Sequence, residues 1–264
     1  MLSRRSFLAW STACGVTQSL AACRPQTRPQ DIRSAHLVDL THTLSPDFPF
    51  IPVQNKTFPF RIAPIATLKE DGVYANRWEL TEHVGTHLDA PCHFAEGGLS
   101  VDQISMTSLL VPLVVLNIAE KVRGNTDASV DLEDLIAWER RYGRIPEHAA
   151  LFMNSGWAAR APDAASFVNM DGAGTMHFPG FSARLVDFAL KERGIAGVGV
   201  DTLSIDPGPQ ASYPAHKHLF AAGKWAVECL DNLDLVPQSG AWVLVAPTKV
   251  KGASGAPARV VALW

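Results

Sequence analysis

From Leu109 to Ile118 the chain runs almost without a polar residue, in a stretch rich in Val and Leu. A run of that length and composition predicts a strand buried on both faces. His36 to Leu44 alternates well enough for a first strand, and Pro46, Pro49 and Pro52 then force an extended loop. Two helices are marked by their ends. Asp131 precedes Leu132, Leu135, Ile136 and Trp138 with Gly143 beyond, and Ser182 precedes Leu185, Val186, Phe188 and Ala189 with Gly194 beyond. Each pairs an N-cap oxygen with a C-terminal glycine. Apolar stretches at Ala149 to Met153, Ile195 to Asp201, Trp225 to Leu230, Ala241 to Ala246 and Arg259 to Trp264 read as further strands. Strands outnumber helices, and the alternation predicts an α/β domain built on a mixed sheet or partial barrel.

Composition sets the class. Of 264 residues 47% are hydrophobic and 19% charged, with a formal net charge of -3. This is the profile of a globular protein, and it leaves no basic footprint for nucleic acid. No linker or repeat interrupts Ala35 to Trp264, which therefore reads as one domain. The first 23 residues read as an address. Ser3-Arg4-Arg5-Ser6-Phe7-Leu8 resembles a twin-arginine export signal, and Leu20-Ala21-Ala22-Cys23 resembles a lipobox in which Cys23 carries lipid. A plain secretory signal cleaved near Ala22 is the alternative, whereas the apolar run is too short for a span of ~20 residues. Residues 24–34 form a polar tether, so the chain is expected in the periplasm and touches a membrane only through that lipid. Cys92 and Cys229 then remain, and two buried thiols are favoured over a disulfide.

The chemistry concentrates in Glu82 to Phe94, which holds His83, His87, Asp89 and His93 among Gly and Pro. A helix would also align His83 with His87, but Val84, Gly85, Thr86 and Pro91 oppose one. In an extended strand the odd positions His83, Gly85, His87 and Asp89 share a face, while Val84, Thr86, Leu88 and Ala90 take the other. Imidazoles beside a carboxylate suit Zn²⁺ or Mn²⁺ with a position left for water. Glu228 lies in an apolar run, where a carboxylate needs a metal, a proton or an ion pair such as Lys224.

The stretch His83-Val84-Gly85-Thr86-His87-Leu88-Asp89-Ala90-Pro91-Cys92-His93-Phe94 resembles the H-x-G-T-H-x-D-x-P-x-H-F signature of the metal-dependent cyclase family, which includes bacterial kynurenine formamidases and isatin hydrolases. The likeness extends through His177 to Phe181, Gly199 to Gly208, His216 to Asn232 and Gly252 to Arg259. It implies a swivelling β/β/α fold and homodimers or homotetramers. It also implies His83, His87 and Asp89 as metal ligands and His93 as general acid/base. His216 and Glu228 would join a bridging Asp89 around a second ion, with His218 as a competitor for His216.

Metal-assisted hydrolysis of an amide, formamide or lactam follows from such parts. No serine nucleophile is indicated, since Ser155 lacks the glycine two residues before it that a nucleophile elbow requires. Trp78, Trp157 and Phe48 are candidates to line a pocket for an aryl substrate, beside His177 and Ser204, with core or loop packing as the competing reading for the aromatics and His177. Asp206, in Asp206-Pro207-Gly208, is expected to be structural. A lyase using the same metal and His93, and a lipid-anchored binding protein, are the alternatives to a hydrolase. Export points to a scavenging or detoxifying role.

Overall fold

A computed structural model describes residues 35–264; the expected export signal, Cys23 and the tether lie outside the described residues. Eight strands form the main sheet: β1 (Leu37–Asp39), β2 (His87–Asp89), β3 (Leu110–Asn117), β4 (Ala150–Asn154), β5 (Gly197–Val200), β6 (Trp225–Glu228), β7 (Ala241–Pro247) and β8 (Gly255–Leu263). Their order is β1-β8-β7-β3-β4-β5-β6-β2, and β2 also pairs with β8. That last pairing closes seven strands into a ring, with β1 on the free part of β8's edge. The four strands β3 to β6 run parallel, and the other pairings are antiparallel. Closure leaves few unpaired edges.

Strand β3 shows why an unbroken apolar run was needed. Val114 and Leu116 pack into a cluster with the helices, and Val111, Leu113 and Val115 pack into a second cluster made chiefly of strand residues inside the ring. Both faces are thus buried, as expected for strands of a covered parallel sheet. Helix α1 (Leu132–Tyr142) starts where its cap predicts: Asp131 accepts from Leu132 N at 2.7 Å, and Asp134 accepts from Asp131 N at 2.7 Å. Leu135 and Trp138 form its buried stripe. Helix α2 (Ala183–Phe188) is capped by Ser182, and a π-helical turn continues it from Ala189 to Arg193 before Gly194 ends it in the left-handed region.

Helix α3 (Pro214–Ala221) has no counterpart in the sequence reading. It is eight residues long and its preceding residue, Tyr213, supplies no side-chain cap. Its first free amides are met from a distance instead: Asp206 accepts from Ala215 N at 2.8 Å and from His216 N at 3.1 Å. A cap delivered by a separate loop leaves no local signature. The first strand is shorter than the alternation predicts, covering only Leu37–Asp39, because the backbone at Thr41 turns to bridge Leu230 while its hydroxyl, accepting from Val260 N at 2.8 Å, keeps the contact with β8.

Asp201, at the end of β5, is fully buried and ties two loops. It accepts from Ser155 Oγ at 2.5 Å and from Trp157 N at 2.9 Å. Burial outweighs these donors and raises its pKa to about 6. A carboxyl whose folded pKa is raised binds its proton more tightly in the native state. Its contribution to stability is therefore complete below pH 4 and disappears as pH rises through about 6. Urea titrations between pH 4 and 7 are expected to show wild-type stability declining relative to Asp201→Asn across that window. Parallel curves for the two proteins would refute this account.

Candidate metal centre

The signature segment is not one extended strand. Only His87–Asp89 is strand, because Gly85 takes φ +66° and turns the chain between His83 and His87. A side chain at Gly85 would be strained by that backbone angle and would press on Leu44, with a Cβ 3.1 Å from Leu44 Cδ1. The alternation holds within the strand itself. His87 and Asp89 point to the helix side of the ring, and Leu88 packs inside it. On the adjacent antiparallel strand β6, Glu228 stands opposite His87, which places two carboxylates on one face. His216 reaches the same spot from α3.

Three hydrogen-bond partners orient three imidazoles. His87 Nδ1 donates to Gly85 O at 2.9 Å, His216 Nδ1 donates to Asp206 Oδ2 at 2.6 Å, and His83 Nε2 lies 3.0 Å from Ser254 Oγ. The opposite ring nitrogens converge on Asp89. His83 Nδ1 is 2.6 Å and His87 Nε2 3.2 Å from its Oδ1, and His216 Nε2 is 3.6 Å from its Oδ2. Glu228 closes the group at 3.1 Å from His216 Nε2 and 3.4 Å from His87 Nε2, with Ile205 N donating to it at 2.9 Å. Its carboxylate thus faces imidazoles, and the Lys224 ion pair does not form. His87 Nε2 is buried and, although within ion-pair distance of both carboxylates, is aligned for a hydrogen bond with neither. An orphaned buried nitrogen among carboxylate oxygens is what a divalent cation would satisfy. Two overlapping sets share Asp89: His83, His87, Asp89 and Asp89, His216, Glu228. The donor chemistry fits a metal.

Charge explains the same arrangement. Burial works against the protonated imidazole of His87, yet Asp89 and Glu228 outweigh it and raise its pKa to about 10. His216 is raised well above the usual histidine range, with burial opposing and Asp206, Asp89 and Glu228 prevailing. Burial also works against ionised Asp89, but His87 and His83 hold its pKa well below the carboxylate range. Protons on imidazole neutralise the buried carboxylates, in the place a cation would take.

His93 follows on a short 3₁₀ turn, Pro91–His93, and stacks on His83 with ring centroids 3.9 Å apart. Burial shifts its pKa downward, opposed by Asp89, so the neutral form prevails at pH 7. It borders a cleft of about 330 Å³ whose floor is the histidine and carboxylate group and whose walls include Phe50, Ile51, Val53, Phe94 and Tyr213. Ser204 lines this cleft, as expected of it. Four other residues assigned to substrate do not. Trp157 is only 1% exposed and donates to Phe167 O, so it is core. Phe48 turns away from its neighbour Phe50 and packs on His42 and Phe167. His177 is held by Asp127 and Asp171 in a surface loop. Trp78 is 67% exposed on the ribbon formed by Arg61–Ala66 and Ala75–Glu79, edge-on to Phe60. His218, about half a turn past His216, faces Asp187 instead of the centre. Cys92 and Cys229 are free thiols. Phe50 lay within the proline-bounded loop, but nothing in the sequence ranked it above Phe48. Glu82 and Ser254, which touch His83 from outside, carried no signal at all.

Comparison with known proteins places the whole arrangement. The Cyclase family model, described as "Putative cyclase", matches residues 38–207. An isatin hydrolase from Roseibium aggregatum is 30% identical over 242 residues, covering 86% of this chain and 91% of its own. The kynurenine formamidase of Bacillus anthracis is 26% identical over 235 residues, covering 87% and 98%. Isatin hydrolase A from Ralstonia solanacearum superposes with a TM-score of 0.83 at 38% identity, over 88% of this chain and 92% of that one. The closed mixed sheet with its flanking helices is therefore the isatin hydrolase fold, and the chain belongs to the metal-dependent cyclase family.

Proposed function

We propose that this chain is a metal-dependent hydrolase that opens the C–N bond of a small aryl amide, in the first place a lactam of the isatin type and in the second an aryl formamide. One observation carries the reading: three oriented imidazoles and two buried carboxylates converge beside a neutral, stacked His93 at the floor of an apolar cleft. A mere metal-capture site would not need His93, and a binding module would not need both ligand sets.

His83, His87 and Asp89 would hold one divalent ion, and Asp89, His216 and Glu228 would hold a second, with Zn²⁺ or Mn²⁺ suited to this nitrogen and oxygen set. A bound ion of this kind supplies Lewis acidity, polarising a carbonyl and lowering the pKa of water toward neutrality. His93, neutral at pH 7, accepts the proton of the attacking water and returns it to the leaving nitrogen. Phe50, Phe94 and Tyr213 sandwich a flat ring and keep bulk water from the reacting carbonyl. Ser204 offers a hydroxyl at the cleft wall.

Residues 35–264 form the catalytic unit, 1–23 the export signal and 24–34 the tether, which directs the enzyme to the periplasm with Cys23 as a lipid anchor. The supporting observations are the paired arginines Arg4 and Arg5 and the Leu20 to Cys23 motif. Among the described residues no helix is long and apolar enough to cross a membrane. Assembly into a homodimer or homotetramer is supported by the two-stranded ribbon at Arg61–Ala66 and Ala75–Glu79. It exposes Ile62, Ile65 and Trp78, and an isolated ribbon is marginal without a covering surface.

Two expectations test this. The mature protein should open isatin or hydrolyse N-formyl-kynurenine only when Zn²⁺ or Mn²⁺ is restored after chelation, and His93→Ala should bind the ion normally while losing about 10²- to 10⁴-fold in kcat. Release of a dehydrated product, or full turnover without metal, would defeat the hydrolase reading. Light scattering should give a multiple of the 28.5 kDa chain, less its leader, and paired Ile62→Ser and Trp78→Ser substitutions should shift it to monomer. A wild type that is monomeric would remove the assembly proposal alone.

A further inference from the structure

Of the three imidazoles at the centre, His87 and His216 are oriented by acceptors that carry no choice of direction, a backbone carbonyl and a carboxylate. His83 is different. Its Nε2 meets a hydroxyl, Ser254 Oγ, at 3.0 Å, and a hydroxyl can either donate to that nitrogen or accept from it. The choice decides which ring nitrogen of His83 keeps a free lone pair, and only Nδ1 faces Asp89, at 2.6 Å.

We infer that Glu82 and Ser254 are positioning residues that set the tautomer of His83 for metal binding, an inference that rests on the metal-centre reading above. Glu82 Oε2 accepts from Ser254 Oγ at 2.5 Å and from Ser254 N at 3.0 Å. A carboxylate can only accept, so the single hydroxyl hydrogen of Ser254 is committed to Glu82. The hydroxyl oxygen is then left to accept from His83 Nε2–H. Nδ1 in turn donates to Asp89 Oδ1 at 2.6 Å, and with the Nε2 proton committed to Ser254 it is Nδ1 whose proton a cation would replace, which would leave its lone pair directed toward Asp89 and the other ligands. Glu82 itself lies 4.0 Å from His83 Nε2, too far to do this directly, so its influence passes through the serine.

The surrounding contacts hold this relay in register. Ala90 N donates to Ser254 O at 2.8 Å, fastening Ser254 to the residue that follows Asp89. The next residue, Gly255, leaves room for the imidazole: a Cβ there would stand 2.7 Å from His83 Nδ1 and overlap Cε1. On the side of the cleft His93 stacks on the same ring, so the pose of His83 also sets where His93 sits. Hydrogen-bond partners behind a ligating histidine fix its tautomer and commonly carry a 10- to 100-fold effect on metal affinity.

The test measures Kd for Zn²⁺ by competition with a chromogenic chelator at pH 7, on the full mature chain. Ser254→Ala and Glu82→Ala should each weaken binding about 10- to 100-fold, the second because the freed serine hydroxyl can turn and donate to Nε2. Glu82→Gln keeps the acceptor while removing the charge, and its Kd should stay within about threefold of wild type by the same reasoning. In Zn²⁺-loaded protein labelled with ¹⁵N-histidine, His83 should show its proton on Nε2, with that proton exchanging faster in Ser254→Ala. Should Ser254→Ala not fold, the half-exposed Glu82 pair of variants decides the matter. Wild-type affinity in both alanine variants overturns the inference, as does Glu82→Gln falling as far as Glu82→Ala, which would show a charge effect and not a tautomer. A wild type that takes up no Zn²⁺ or Mn²⁺ would instead overturn the metal-centre reading.

Discussion

Asp89 and Glu228 are two carboxylates, 1% and 5% exposed, placed on neighbouring strands with their side chains on one face. Each raises the cost of ionising the other, and an unpaired buried charge costs several kcal/mol. Nothing in an apolar strand pair such as Ala226 to Glu228 and His87 to Asp89 would tolerate them alone. The rest of the centre answers that demand. His83, His87 and His216 arrive from a turn, a strand and a helix, and each turns a nitrogen toward the carboxylates. Protons on His87 and His216 neutralise the pair, and a divalent ion held by the same atoms would do the same.

The fold is arranged around delivering those atoms. Closing the ring through β2 against both β6 and β8 puts Glu228 opposite His87, and Gly255 opposite Asp89. The loop after β5 supplies Asp206, which performs two tasks with one carboxylate. It caps α3, and it holds Nδ1 of His216. The same loop supplies Ile205 N to Glu228. A helix of eight residues would be marginal by itself, so the side chain that presents His216 to the site also stabilises the helix that carries it. Stability and function share a residue here because the site is where the sheet and helix layers meet.

The cleft above the centre has a different logic. Its walls are largely apolar and aromatic, with Lys56 and Ser204 among them, while its floor is ionic, so a substrate would shed water over much of its surface. His93, the proposed acid/base, is kept neutral by burial and held flat against the ring of His83. That combination separates it from His83, His87 and His216, each of which turns a ring nitrogen toward Asp89.

Much of this was legible along the chain. Apolar runs predicted the buried strands, and caps predicted α1 and α2, because both signals are local. The composition of Glu82 to Phe94 predicted a metal-binding cluster, since imidazoles and a carboxylate in that density have few other uses. Local order misled where a single backbone angle intervened: Gly85 turns the segment, so His83 reaches the centre by a bend and not by strand alternation. It was also silent where the partner was distant. The cap of α3, the orientation of Phe50 inward and Phe48 outward, the exposure of Trp78 and the burial of Trp157 depend on what packs against them. The relay from Glu82 through Ser254 to His83 joins residues 172 positions apart. The sequence by itself determined which side chains could bind a cation and which strands would form the core, because residue chemistry and periodicity are properties of neighbours. Only the tertiary structure decided which nitrogens face the cation and which aromatics face the substrate, because hydrogen-bond direction and burial are set by contacts that the chain order does not contain.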